Sequence, residues 1–422
     1  MKTCQAPSAL GLAASFGFGD RTGLATSGHV AALREAGGDI RGIFAQQSIR
    51  EMTRTQRSPE AVMQAAVDAL AALDYQQPWS ADADHLKSPQ DVKNTAAAGF
   101  VFFTLDPSDD VDQQADGYEG TTLAEKFAAA RGSAPWFDDY RGRTVRLATG
   151  PIEFDERTLE RAAVKYGKAI KRAISLAKCA EEESNRAGHP FEIELSVDET
   201  AQPTTPAEHY IIAEQLRKAG VHLASVAPRF IGDFEKGVDY KGDLAALEAS
   251  MKIHAEIAER LGPYKISLHS GSDKLSMYPL LARVTKGRFH VKTAGTTWLE
   301  ALRVAAHYDQ PLFREIIEYS RECYDRDKAT YHVSATLESV PSPKKISDPV
   351  ELEQVYLERW SEVPAGRGFT APGRQIPHCT FGSVITDRKL GPAIMDLLRD
   401  RTNEFTEILR QHFVRHFRAL RA

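Results

Sequence analysis

Cysteine is scarce in this chain of 422 residues. Cys4, Cys179, Cys323 and Cys379 lie far apart and are never spaced as CxxC. That excludes a cysteine zinc site and offers no disulfide framework, so the expected compartment is the reducing cytoplasm. Long hydrophobic runs are missing too, and none approaches the roughly eighteen residues that a membrane span needs. The opening MKTCQAPSAL has no sustained apolar stretch to read as a secretory signal. Nor is there an excess of positive charge. A formal net charge of −5 argues against nucleic acid or an anionic membrane as the partner. No Gly/Ser linker or low-complexity block divides the chain, and no GxGxxG follows the first strand candidate. The dinucleotide fingerprint of a doubly wound sheet is therefore lacking.

What is present is a regular alternation of short apolar runs and amphipathic helical stretches, the pattern of parallel α/β architecture. Strands are expected at 14–20, 42–48, 79–84, 99–106, 191–197, 221–227, 264–270 and 288–294. Helix starts separate most of them. Ser88-Pro89, the capping box of Thr205-Pro206-Ala207-Glu208, Asp243, and a second box at Thr297–Glu300 each mark one. About eight β/α units predict a TIM-type (β/α)₈ barrel over residues 1–307, with a doubly wound sheet as the runner-up. Residues 107–155 form an acidic, Gly-rich insertion after the fourth strand, placed where a lid over the catalytic face is expected. Residues 308–422 read as a mainly helical C-terminal extension packed on the barrel, with one more strand-like piece at ATYHVSATLE.

Barrel strands alternate between helix-facing and inward-facing residues, and active sites gather at their C-terminal ends. In FEIELSVDE, the apolar Ile193 and Leu195 face out while Glu192, Glu194, Ser196 and Asp198 face in. The same parity turns Lys265, Ser267, His269, His290 and Lys292 inward. So much inward charge is costly unless paired or metal-bound. The stretch SADADHLKSP, at the end of the third strand, adds Asp84 and His85. His85, His269 and His290 are candidate ligands of a divalent Zn, Mn, Ni or Co ion, with substrate hydrogen bonding or a plain core role as alternatives. His222 and His332 follow the same logic more weakly. Asp84 and Glu194 are candidates for an opposed proton-transfer pair, against helix capping or a buried lysine pair. Asp198 reads better as a loop cap. Arg21, Gln47, Ser48, Thr104, Ser270, Asp273, Lys274 and Lys292 are polar groups near strand ends that suit a small sugar acid or ketohexose. Nothing here gives the oligomeric state.

Several segments also resemble the tagaturonate epimerase family. In order they are ASFGFGDRTGLAT, FAQQSIRE, ADADHLK, SVDET, RFIGDFEKGVDYKGDL, YKISLHSGSDK and FHVKTAGTTWLEAL, spanning roughly residues 14 to 301, with an echo at HCTFGSV. The resemblance implies a metal-dependent sugar epimerase on a barrel, interconverting D-tagaturonate and D-fructuronate, with relatives acting on tagatose and fructose. It favours Asp84 and Glu194 for proton transfer, His85 and His269 as ligands, and His290 as the third.

The two uronates differ at a hydroxylated carbon β to the ketone, whose C–H is not acidified by the carbonyl. Retro-aldol cleavage and re-addition, carbonyl migration through enediols, or transient oxidation would each allow inversion. The first is preferred, and the missing fingerprint disfavours the last. A metal-dependent aldolase or isomerase of hexuronates, or a non-catalytic sugar-acid binding protein, are the rival readings.

Overall fold

The computed structural model describes residues 4–422. Its strands are β1 (Ser15–Gly19), β2 (Arg41–Ser48), β3 (Ser80–Leu86), β4 (Phe102–Leu105), β5 (Thr144–Leu147), β6 (Gly150–Glu153), β7 (Glu192–Ser196), β8 (Leu223–Ala227), β9 (Lys265–Leu268) and β10 (Phe289–Thr293). All but β5 and β6 close into one parallel barrel, running β1-β2-β3-β4-β7-β8-β9-β10 and back to β1. The eight expected strands are those eight, shifted by a few residues at their ends. A TIM-type barrel is the fold.

Helix starts follow their capping chemistry. Ser88 and Thr205 each close a capping box with Pro at the first helical turn, and Asp243 caps the helix Leu244–Leu261. Each satisfies backbone N–H groups that the helix leaves unpaired. The box expected at Thr297–Glu300 does not form. That helix begins at Thr296 without a side-chain cap, and Glu300 is drawn inward to Arg303 at 2.7 Å.

The insertion does not cover the barrel mouth. β5 and β6 form a hairpin against the outer helices Pro206–Lys218 and Leu244–Leu261, held by Arg143 on Glu214 at 3.1 Å and by Glu256 on the Thr149 hydroxyl at 2.8 Å. Phe137, Tyr140, Val145 and Ile152 are buried within this arrangement, and the Tyr140 hydroxyl accepts from Gln215 at 2.8 Å. After the helix Thr296–Tyr308 come further helices, beginning with Gln310–Asp327. The last, Thr402–Leu420, sets Phe413 and Phe417 against Phe16 and Phe18 of β1. ATYHVSATLE forms no strand. It runs from a short 3₁₀ turn into irregular chain, fixed instead by hydrogen bonds such as Tyr324 to the Ala335 carbonyl.

Candidate active site

The C-terminal ends of β3, β7, β9 and β10 bring acids, imidazoles and one ammonium together. Lys292 of β10 lies at the centre. Its Nζ is 2.7 Å from Asp82 Oδ2, 2.8 Å from Asp84 Oδ1 and 2.8 Å from Glu194 Oε1, and it also bonds the Thr104 hydroxyl. His269 lies against the same group, with Nε2 2.7 Å from Glu194 Oε1 and Nδ1 3.2 Å from Asp198 Oδ1. His85 meets Asp106 at 2.9 Å through Nδ1, which leaves Nε2 beside Asp84, 3.8 Å away. The two imidazoles stand edge to face, 5.1 Å apart. His85 and Ser270 have φ of +52° and +53°, a left-handed backbone that non-glycine residues adopt seldom and that recurs at functional sites.

Burial would lower the pKa of both histidines, but the acids around them prevail. Asp84, Asp106 and Glu199 hold His85 up at about 10, and Asp198 with Glu194 hold His269 at about 9. Burial would raise the carboxylates, yet His85 and Lys292 keep Asp84 low, and Lys292 and His269 keep Glu194 well below the usual range. Lys292 is raised because three carboxylates outweigh its burial. Without a metal, the site is an ionised network that holds protons on its imidazoles.

Ligand atoms of Asp84, His85 and His269 lie within 4.8 Å of one another. A mixed N and O set, buried and ringed by further acids, fits a divalent ion of the Zn, Mn, Ni or Co type. The metal would take the place of the imidazole protons.

Two chambers open over these groups. The inner one, about 50 Å³, is lined by Asp84, His85, His269 and Lys292, together with Arg21, Gln46 and Ser48. The outer one, about 490 Å³, is walled by Asp198, Arg229, Phe230 and His332, among others. Lys236, His269, Ser270 and Tyr331 border both and form the neck between them.

Of the expected site residues, Asp84, His85, His269, Arg21, Ser48, Ser270 and Lys292 line the inner chamber. The others are placed elsewhere. His290 sits at the barrel floor, bonded through Nδ1 to the Ser15 hydroxyl at 2.9 Å, because it lies two residues before Lys292 along β10. It is not grouped with the other two imidazoles. Glu194 is fully buried beneath His269 and Lys292 and does not line a chamber. Thr104 donates to Asp82 and Glu194 at 2.8 and 3.2 Å, and so supports the network from below. Gln47 points outward to Arg57 and its neighbour Gln46 faces in, since the β1–β2 register shifts just before them.

Asp273 and Lys274 turn away altogether. Asp273 pairs with Arg374 at 2.9 Å and His412 at 2.9 Å. Lys274 gives its ammonium to the carbonyls of Glu235 at 2.8 Å, Val238 and Ser272. His222 lines neither chamber, and His332 reaches only the outer one. Asp198, expected as a loop cap, is instead a partner of His269. Asp82, Asp106, Lys236, Tyr331 and His378 have no role in the expectations drawn from the sequence. Asp82 and Asp106 follow the inward logic already used, but Lys236, Tyr331 and His378 come from loops and helices whose placement no strand parity gives. Gln46 is buried, lines the inner chamber and, among the described residues, has no partner for either side-chain polar atom.

Residues 2–420 match the family model of tagaturonate epimerase. A tagaturonate/fructuronate epimerase of Thermotoga maritima is 40% identical over 413 residues, covering 97% of this chain and 81% of that protein. Crystal structures of a fructuronate–tagaturonate epimerase from Cohnella laeviribosi, native and with glycerol, superpose with a TM-score of 0.89. They are 35% identical, and the match covers 98% of this chain and 83% of theirs.

Proposed function

This chain belongs to the tagaturonate epimerase family, and from that premise we propose that it interconverts D-tagaturonate and D-fructuronate. The observation that carries the reading is Lys292, an ammonium shared by Asp84 and Glu194 at 2.8 Å each, at the wall of a narrow polar chamber. The route is retro-aldol. Asp84, kept ionised and lining the chamber, takes the proton of the hydroxyl on the inverting carbon. The bond from that carbon to the carbon next to the ketone breaks, and its electrons pass to the ketone-bearing fragment. The inverting carbon is now a planar aldehyde. It turns, and the same bond re-forms on its other face. The new alkoxide then meets Lys292, which returns a proton. Asp84, 2.8 Å from the same nitrogen, then passes the proton it took to Lys292, and both groups are reset. Glu194 reaches the chamber only through Lys292 and holds that ammonium in place.

Asp84, His85 and His269 would hold a divalent cation, which acts when bound as a Lewis acid on the ketone and an adjacent hydroxyl. Arg21, Ser48, Ser270 and Gln46 position the hydroxyl groups. The barrel of residues 1–307 carries the chemistry, and Tyr331 and His378 of the extension 308–422 complete the chamber wall. Tagatose and fructose are the weaker substrates of the same site. Among the described residues no helix is long and apolar enough to cross a membrane. The free cysteines suit a reducing compartment, and we assign the enzyme to the cytoplasm.

Metal-loaded enzyme should convert D-fructuronate to D-tagaturonate, and D-fructose to D-tagatose more slowly, when the products are resolved separately. Accumulation of three-carbon fragments in place of the epimer would make it an aldolase.

A further inference from the structure

The inner chamber, about 50 Å³, is narrow, and it shares its neck with the outer chamber of about 490 Å³. A six-carbon chain with its reacting carbons at Lys292 has room to extend its remote end through that neck. Among the Lys and Arg residues that line the inner chamber, charge is already committed almost everywhere. Arg21 pairs with Glu51 at 2.9 Å, Arg50 with Glu199 at 2.9 Å, and Lys292 with its three carboxylates. Lys236 differs. Among the described residues its ammonium has no carboxylate partner, and it donates only to the Ser270 hydroxyl.

The loop that presents Lys236 is fixed from several sides. Glu235 Oε2 accepts from Lys241 at 2.8 Å, Ser334 at 2.8 Å and Gln375 at 2.7 Å. The Lys274 ammonium ties the carbonyls of Glu235 and Val238 together. The Lys236 backbone N–H donates to the His332 carbonyl at 3.3 Å. Such anchoring cuts the cost of ordering a flexible lysine when an anion binds. Resting on the epimerase reading, we propose that Lys236 receives the carboxylate of the hexuronate at the neck, and so sets the preference for uronates over neutral ketohexoses. Lys274 is then a positioning residue that builds the loop.

The test pairs D-gluconate with D-glucitol, which differ only by carboxylate against CH₂OH, in calorimetry on metal-loaded enzyme. A charge-assisted hydrogen bond should give wild type roughly a tenfold to hundredfold preference for gluconate. Lys236→Met should erase that gap, and Lys236→Arg should retain part of it. In turnover, Lys236→Met should raise KM for fructuronate by the same factor, with kcat and the kinetics on fructose little changed. Added salt should narrow the wild-type gap as well, which tests the charge without any variant. A gap that survives in Lys236→Met, or that disappears in Arg229→Gln instead, overturns the assignment. A carboxylate preference lost in Lys236→Met without any epimerisation would keep Lys236 as the anion site and sink the epimerase reading. Epimerisation of fructuronate with the gap intact in Lys236→Met would do the reverse.

Discussion

Two buried groups of acids and histidines can be set side by side in this fold. One is the mouth cluster around Lys292. The other joins Asp273 to His412 and His416 of the last helix, with His412 also 3.2 Å from Glu300 and Asp273 2.9 Å from Arg374. Both groups place three possible ligand atoms within 4.8 Å of one another. In the second, every acid faces an arginine: Arg374 for Asp273, and Arg303 shared by Glu300 and Glu353 at 2.7 Å each. The rings of Phe369 and Trp360 close it off, and it borders neither chamber. The mouth cluster has acids in excess and a Gln46 that, among the described residues, is unpartnered. Buried charge by itself does not mark a functional site. Access to a chamber, with donors and acceptors left over, is what separates the two.

Metal removal should break the comparison most sharply. A chelator should abolish turnover, and His85→Ala or His269→Ala should lose bound metal, whereas His412→Ala should bind as much as wild type. Metal retained in both mouth variants would remove the ligand assignment.

Next in size are the carboxylates. Asp84→Asn should lower kcat by about 10²-fold or more and weaken metal binding as well, because Asp84 is also a ligand. Glu194→Gln should lower kcat by a similar factor with metal content unchanged. If Glu194→Gln loses the metal, the ion sits deeper than the chamber wall and Glu194 is one of its ligands. Near-normal rates in both would leave the reaction without its proton carriers.

Asp273→Asn should do the opposite, leaving kcat of the folded enzyme intact while lowering stability. Breaking a buried pair costs about 3–5 kcal/mol, readable as a fall in the denaturant midpoint. A large loss of kcat at unchanged stability would return Asp273 to the active site.

The smallest effect is a pH dependence. His85 and His269 are raised in the metal-free fold from about 6.5 in the unfolded chain. Their contribution to stability is therefore complete below pH 6.5 and is lost as pH rises through about 9 to about 10. The stability gap between metal-free wild type and His85→Gln should shrink over that window, while metal affinity grows. In the second cluster, burial and His412 hold His416 at about 3, so it should stay neutral throughout when imidazole signals are followed by NMR. A gap that is flat with pH would show that the acids do not hold those protons.

The sequence alone was enough for the barrel, for its eight strands and for much of the inward chemistry. Apolar alternation decides which residues face the helices, and capping side chains satisfy local N–H groups wherever the chain later goes. Asp84, His85, Glu194, His269 and Lys292 were legible for that reason. Height along the barrel axis was not, because strand tilt and register decide it. His290 shares the parity of Lys292 and still ends at the floor beside Ser15. Loop residues were less legible again. Asp273 and Lys274 come shortly after His269, the residue that follows β9, but their partners, Arg374, His412 and the carbonyls of residues 235 and 238, lie far away in the chain. Lys236 and Tyr331 reach the neck for the same reason. Long-range pairing sets where such side chains point, and only the tertiary structure brings those pairs together.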